Sequence, residues 1–235
     1  MSAVTTERID AGHGKAVLVL HLDDGKANAL SHALMDDINA ALDEVERDET
    51  IGAVVLHGRP GRFSAGFDLT VVNSGDMKAI IGIMVVGASL FRRLYGLPVP
   101  VVSACTGHAV AGGAFLLLSS DYRIGADLPC KIGLNEVAIG LVLPAWAITL
   151  CHERLSKRHA QRSVMLAELT GPGAAVDAGF LDEVQPEGDV LSAAIAKASE
   201  YAQFSRAAYS GNVRAMRGAA LATLDAQIAK DRALL

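Results

Sequence analysis

The stretch Gly107-His108-Ala109-Val110-Ala111-Gly112-Gly113-Ala114-Phe115 decides how this chain is built. It lies between residues 99–105 (VPVVSAC) and the wholly apolar Leu116-Leu117-Leu118. A short valine-rich run reads as a buried strand, and a cluster of Gly and Ala after it reads as a tight turn. The turn and an apolar helix behind it occupy about 107–119, and residues 122–126 fit a further strand.

The same order recurs outward from that stretch. Residues 51–56 form an apolar strand, the loop His57-Gly58-Arg59-Pro60-Gly61-Arg62 follows, and Phe63-Ser64-Ala65-Gly66-Phe67-Asp68-Leu69 is a second small-residue turn before a helix over 76–94. Farther upstream, residues 16–22 (AVLVLHL) are a buried strand closed by Asp23-Asp24-Gly25. Ser31 is placed to cap a helix over 32–47, where Leu34, Ile38, Leu42 and Val45 recur at helical spacing while Asp36, Asp37, Asp43 and Glu44 fall on other faces. After Pro144 the pattern turns mostly helical: 144–153, 157–168, 174–179 and a long tail over 190–234. Strands alternating with helices predict an α/β fold with helices crossing between roughly parallel strands. The C-terminal extension is expected to bury its apolar face on a neighbouring subunit.

Composition narrows the function classes. With 235 residues, 51% hydrophobic and 20% charged, the chain has enough apolar material for one core, and no linker divides it. Apolar stretches are interrupted well short of a bilayer span, and MSAVTTERID lacks a basic-then-apolar leader pattern. A cytoplasmic protein with no membrane partner is expected. The net charge of −5, without a basic stripe, argues against nucleic acid but leaves room for a small anionic ligand. Cys105, Cys130 and Cys151 show no metal-ligand spacing, and neither do the histidines, so reduced thiols and no metal are expected.

Three segments are able to carry chemistry. Each small-residue turn follows a strand and leads toward a helix, where free N–H groups attract an anion. Taken singly, each turn is better read as close packing; meeting in space, the two supply paired donors to one developing oxyanion. The third segment is Ile132-Gly133-Leu134-Asn135-Glu136-Val137-Ala138-Ile139-Gly140-Leu141-Val142-Leu143-Pro144, whose only polar side chains are Asn135 and Glu136. Desolvation there raises a carboxyl pKa and makes a stronger base, although a surface glutamate capping a helix fits the same letters. Cys105 and His108, three apart, suggest a thiol nucleophile less well than strand-end packing. No G-x-S-x-G, G-x-x-x-x-G-K-[ST] or G-x-G-x-x-G motif occurs, which disfavours serine hydrolysis, nucleotide hydrolysis and NAD binding.

The segments FSAGFDL, GHAVAGGAF and IGLNEVAIGLVLP, in that order, resemble the crotonase (enoyl-CoA hydratase/isomerase) superfamily. DDGKANALS is similar to that family's CoA-contacting loop, and LTGPGAAVDAGFLDEV to a later family segment, so the likeness runs from about residue 9 to 186. The resemblance implies a ββα spiral over residues 1–186, a helical oligomerisation segment over 187–235, and a homotrimer or hexamer. It implies an acyl-CoA thioester as substrate, with coenzyme A part of that substrate and no separate cofactor. It carries the oxyanion-hole N–H groups onto Phe67 and Gly112, the acid/base onto Glu136, and substrate contacts onto Lys26, Ala27, Ala29, Ala65, Leu69 and Phe115.

One departure is informative. Typical hydratases of the family carry two catalytic glutamates; the first of those positions is Phe115 here, followed by Leu116. Hydration needs a positioned water with both a base and an acid, whereas moving a double bond needs one group that takes a proton from the α carbon and returns it to the γ carbon. With Trp146 following Pro144, the motif is most similar to single-glutamate 3,2-enoyl-CoA isomerases. Isomerisation is therefore the first expectation, with a β-oxidation hydratase and a non-catalytic acyl-CoA-binding protein as alternatives. Arg214 and Arg217 in the tail are read as solvated charges rather than ligands to CoA phosphates.

Overall fold

Strand β2 (Lys15–Leu22) buries both faces, and this sets the layering. Leu18, Leu20 and Leu22 enter the main core, while Val17 and Val19 enter a smaller second one. In the computed structural model, which describes residues 2–235, β2 pairs with β1 (Val4–Gly12) in antiparallel and with β3 (Ile51–His57) in parallel. Parallel pairing continues through β5 (Val101–Cys105), β7 (Tyr122–Ala126) and β10 (Glu183–Gln185), giving a six-stranded sheet ordered β1-β2-β3-β5-β7-β10.

A smaller sheet, β4-β6-β8-β9, is built from β4 (Gly61–Ser64), β6 (Gly107–Val110), β8 (Ile132–Gly133) and β9 (Leu169–Thr170). Successive turns of the chain each donate one strand to the large sheet and the next to the small one: β3 then β4, β5 then β6, β7 then β8. A helical segment follows each pair, which is the expected ββα spiral. The helices are α1 (His32–Arg47), the short α2 (Leu69–Val72), α3 (Met77–Tyr95), α4 (Gly112–Leu118), α5 (Ala145–Arg154), α6 (Lys157–Leu166), α7 (Pro172–Ala178), α8 (Val190–Tyr201) and α9 (Arg206–Arg232). Helix α1 begins as its sequence indicates, the Ser31 hydroxyl accepting the Leu34 N–H at 3.2 Å.

Five details differ from the sequence reading. Strand β1 is an added edge: it is mostly solvent-exposed, so it lacks a buried stripe to announce it. The stretch read as turn plus helix over 107–119 contains strand β6 before α4, because Gly107 and Ala109 pair with the small sheet. The tail is two helices, interrupted at residues 202–205, where Ala202 is buried and Ser205 caps α9 by accepting the Ala208 N–H. Helix α8 presents Val190, Ala194 and Ala198 to Val17, Val19, Val55 and Val102, covering the second face of this chain's own sheet. Arg217, read as a solvated charge, is half-buried and paired: it bonds Asp121 Oδ1 at 2.6 Å and the Tyr95 carbonyl at 2.9 Å.

Candidate active site

The two small-residue turns meet. Residues 27–30 and 65–68 lie side by side: the Ala65 N–H donates to the Ala27 carbonyl at 3.0 Å, the Leu30 N–H to Gly66 at 2.8 Å and the Asp68 N–H to Leu30 at 3.3 Å. The Phe67 N–H is left out of this ladder and has no acceptor among the described residues. At the second turn Ala111 has φ 53 and ψ −123, a conformation L residues rarely adopt, and it opens α4. Its N–H donates to the Gly133 carbonyl and its own carbonyl accepts from Ala114 and Phe115, while the Gly112 N–H also lacks an acceptor. A Cβ placed on Gly112 would stand 3.4 Å from the Phe67 nitrogen, and one on Gly66 would stand 3.1 Å from the Gly112 nitrogen. Backbone therefore touches backbone, and the two free N–H groups are neighbours.

A cavity of about 200 Å³ opens beside them, walled by Phe67, Met84, Phe115, Leu143 and Trp146. Glu136 is the only ionisable side chain on this lining, with Asn135 next to it. Glu136 opens a 3-10 turn (Val137–Ile139), its carbonyl accepting the Ile139 and Leu141 N–H groups, but its side chain makes no capping bond. The helix-cap alternative thus fails. Its Oε2 is buried without a partner among the described residues, as are Asn135 Oδ1 and Trp146 Nε1. Burial pushes the Glu136 carboxyl above its ordinary range, partly opposed by the nearby Glu136 and Asn135 N–H groups.

Phe115, only 1% exposed, packs its ring 5.3 Å from Trp146 and 5.8 Å from Phe91. The position where a hydratase of the resemblance carries a second carboxylate is therefore an apolar wall. Ala65 and Leu69 also line the cavity; Lys26, Ala27 and Ala29 do not, and instead form the segment hydrogen-bonded to the first turn. Sequence reasoning missed Met84 and the apolar run Ile139, Leu141, Val142 and Leu143. The available signal was that this run belongs to no strand or long helix, so its side chains had to cover something else.

Cys105 is unsuited to nucleophilic work. Its thiol is buried, donates to the Gly107 carbonyl and is pushed up to about 12 by that burial. Nearby His108 accepts the Lys131 N–H instead. No group of three His, Cys, Asp or Glu side chains among the described residues is arranged to hold a metal ion.

A profile of the enoyl-CoA hydratase/isomerase family matches residues 12–235. The chain belongs to that family. The human mitochondrial enoyl-CoA delta isomerase 1 is 35% identical over 195 residues, a match covering 82% of this chain and 64%, just under two thirds, of the human protein's length. Among solved structures, an enoyl-CoA isomerase of Mycobacterium tuberculosis superposes with a TM-score of 0.91 at 36% identity, covering 100% of this chain and 99% of its own. An enoyl-CoA hydratase of Mycobacterium marinum gives 0.91 at 37% identity, covering 98% of each chain. Proteins described as isomerases and proteins described as hydratases are thus both similar to this chain, and the M. tuberculosis protein itself is described under both names.

Proposed function

We propose that this family member is an enoyl-CoA isomerase that shifts the double bond of a 3-enoyl-CoA to the 2 position. The observation that carries this reading is the solitary carboxylate: Glu136 is the only ionisable group on the cavity lining. The Phe67 and Gly112 N–H groups receive the thioester oxygen and form an oxyanion hole, their lack of other acceptors leaving them preorganised. Glu136 takes a proton from C2, the electron pair moves into the carbonyl to give a dienolate, and the same carboxyl returns the proton to C4 as the double bond settles between C2 and C3. Atoms balance, and no water enters.

The raised Glu136 pKa suits both halves of this cycle. It strengthens the carboxylate as a base toward C2 and makes the protonated carboxyl that returns the proton to C4 easier to form than at an exposed glutamate. Hydration requires a second proton-carrying group at the reacting carbons, and Phe115 cannot supply one.

Incubation with a 3-enoyl-CoA and, separately, with a 2-enoyl-CoA, followed by mass analysis, tests the reading. Conversion of the first at unchanged mass, with no water added to the second, is the expected result. Rapid gain of a water mass from the 2-enoyl-CoA would replace it with the hydratase reading. Tight acyl-CoA binding without any conversion would leave a binding protein.

A further inference from the structure

We propose that Asn28 is a positioning residue that ties the loop over residues 24–29, which the resemblance assigns to coenzyme A, to the Phe67 N–H, so that loop and thioester-polarising donor are held as one unit. The proposal rests on the active-site reading above. Asn28 is fully buried and left-handed, at φ 50, a conformation Asn tolerates better than most residues. Its amide binds three backbone segments at once. Oδ1 accepts the Asp24 N–H at 3.0 Å, and Nδ2 donates to the Leu22 carbonyl at 2.7 Å and the Phe63 carbonyl at 3.2 Å. The end of β2, the loop and the end of β4 are thereby joined at a single side chain. Only an amide offers an acceptor and two donors in that arrangement.

The chain of bonds continues to the reacting region. The Asn28 carbonyl accepts the Ser64 hydroxyl at 2.7 Å, and that hydroxyl accepts the Gly66 N–H at 3.3 Å. Gly66 in turn accepts the Leu30 N–H, and Asp68 donates to Leu30, so the peptide on each side of Phe67 is held. The Phe67 ring is pinned separately on α3: a Cβ at Gly87 would fall 2.4 Å from its Cε1. The residue is fixed through its neighbours' backbone and its own ring, and its N–H has no acceptor among the described residues. Asp24 holds the other end of the loop, its carboxylate accepting the Lys26, Asn28 and Ala29 N–H groups.

The test uses a conjugated 2,4-dienoyl-CoA, whose absorption moves to the red when its carbonyl is polarised, with the wild type, Asn28→Asp and Ser64→Ala. Asn28→Asp removes the donors; Ser64→Ala leaves the loop intact and cuts only its link to Gly66, and carries the test if the first variant does not fold. The wild type is expected to give a red shift. Folded Ser64→Ala should lose at least half of it, with kcat for 3-enoyl-CoA falling tenfold or more and KM changing less than threefold. Folded Asn28→Asp should lose the shift and also raise KM at least tenfold. A full red shift in either folded variant overturns the coupling and leaves Asn28 a structural residue. A wild type that binds the dienoyl-CoA without any shift overturns the oxyanion-hole reading itself, and the coupling with it.

Discussion

In the proposed reaction Glu136 acts as a base in surroundings that resist its charge, and this has consequences that can be measured separately. A carboxyl whose folded pKa lies above its unfolded value is destabilising when ionised: the penalty is full above the folded pKa and fades as pH falls toward the unfolded value. Glu136→Gln should therefore raise Tm near pH 7.5, and the gap to wild type should narrow as the pH is lowered through the raised pKa. The same variant should abolish isomerisation while acyl-CoA affinity, read by calorimetry, stays within a few-fold. In the wild type, kcat/KM should rise with pH along a limb centred above 4.5, the ordinary glutamate value. A limb at or below it would place the essential base elsewhere. Phe115→Glu puts a carboxyl against Phe91 and Trp146, at a desolvation cost of several kcal/mol. Loss of stability in urea unfolding is the expected outcome, with trace hydration of 2-enoyl-CoA appearing only in the folded fraction.

At the level of elements, the long C-terminal helix is held by charge as well as by apolar packing. Val213, Leu221, Leu224 and Ile228 of α9 join the main core, and Arg217 reaches inward to Asp121 with its guanidinium 4.4 Å from the centre of the Tyr95 ring. Removing one partner of such a pair strands the other charge. Arg217→Ala should cost about 3 kcal/mol in urea unfolding, far more than a solvated arginine at the same helical position. Near-neutral behaviour would show that Asp121 finds water in its place. Ser31→Ala tests a local rule and should cost about 1 kcal/mol, since it strands one N–H at the start of α1. The contrast explains what was legible. A cap and a helical apolar stripe are local patterns, so α1 was readable to its ends. The role of Arg217 depends on Asp121 arriving from another element, and no spacing within the tail encodes that.

At the scale of the molecule, several apolar side chains are exposed on the cavity lining and on elements near it in sequence. Val142 is 92% exposed, Val137, Ile139 and Leu69 are also exposed, and Met165 and Leu166 stand out on α6. Isolated apolar residues on a surface are ordinary, but this many together point to burial by assembly. If another copy covers this face, light scattering gives a multiple of the mass of one chain and Val142→Asp shifts that mass downward. A wild-type monomer at tens of micromolar would refute the expectation.

What the sequence determined by itself was the set of local pieces: the alternation of strands and helices, the two small-residue turns, and a single carboxylate in an apolar run. These follow from backbone preference and solvation, which act within a few residues. Only the tertiary structure decided that the Phe67 and Gly112 nitrogens are neighbours, that Asn28 bridges three segments, and that α8 closes the second face of the sheet. Those facts arise when β4 pairs with β6 and apolar faces are buried together, and the residues involved are far apart in the chain. The free energy that joins them belongs to the packed whole, so no stretch of sequence displays it alone.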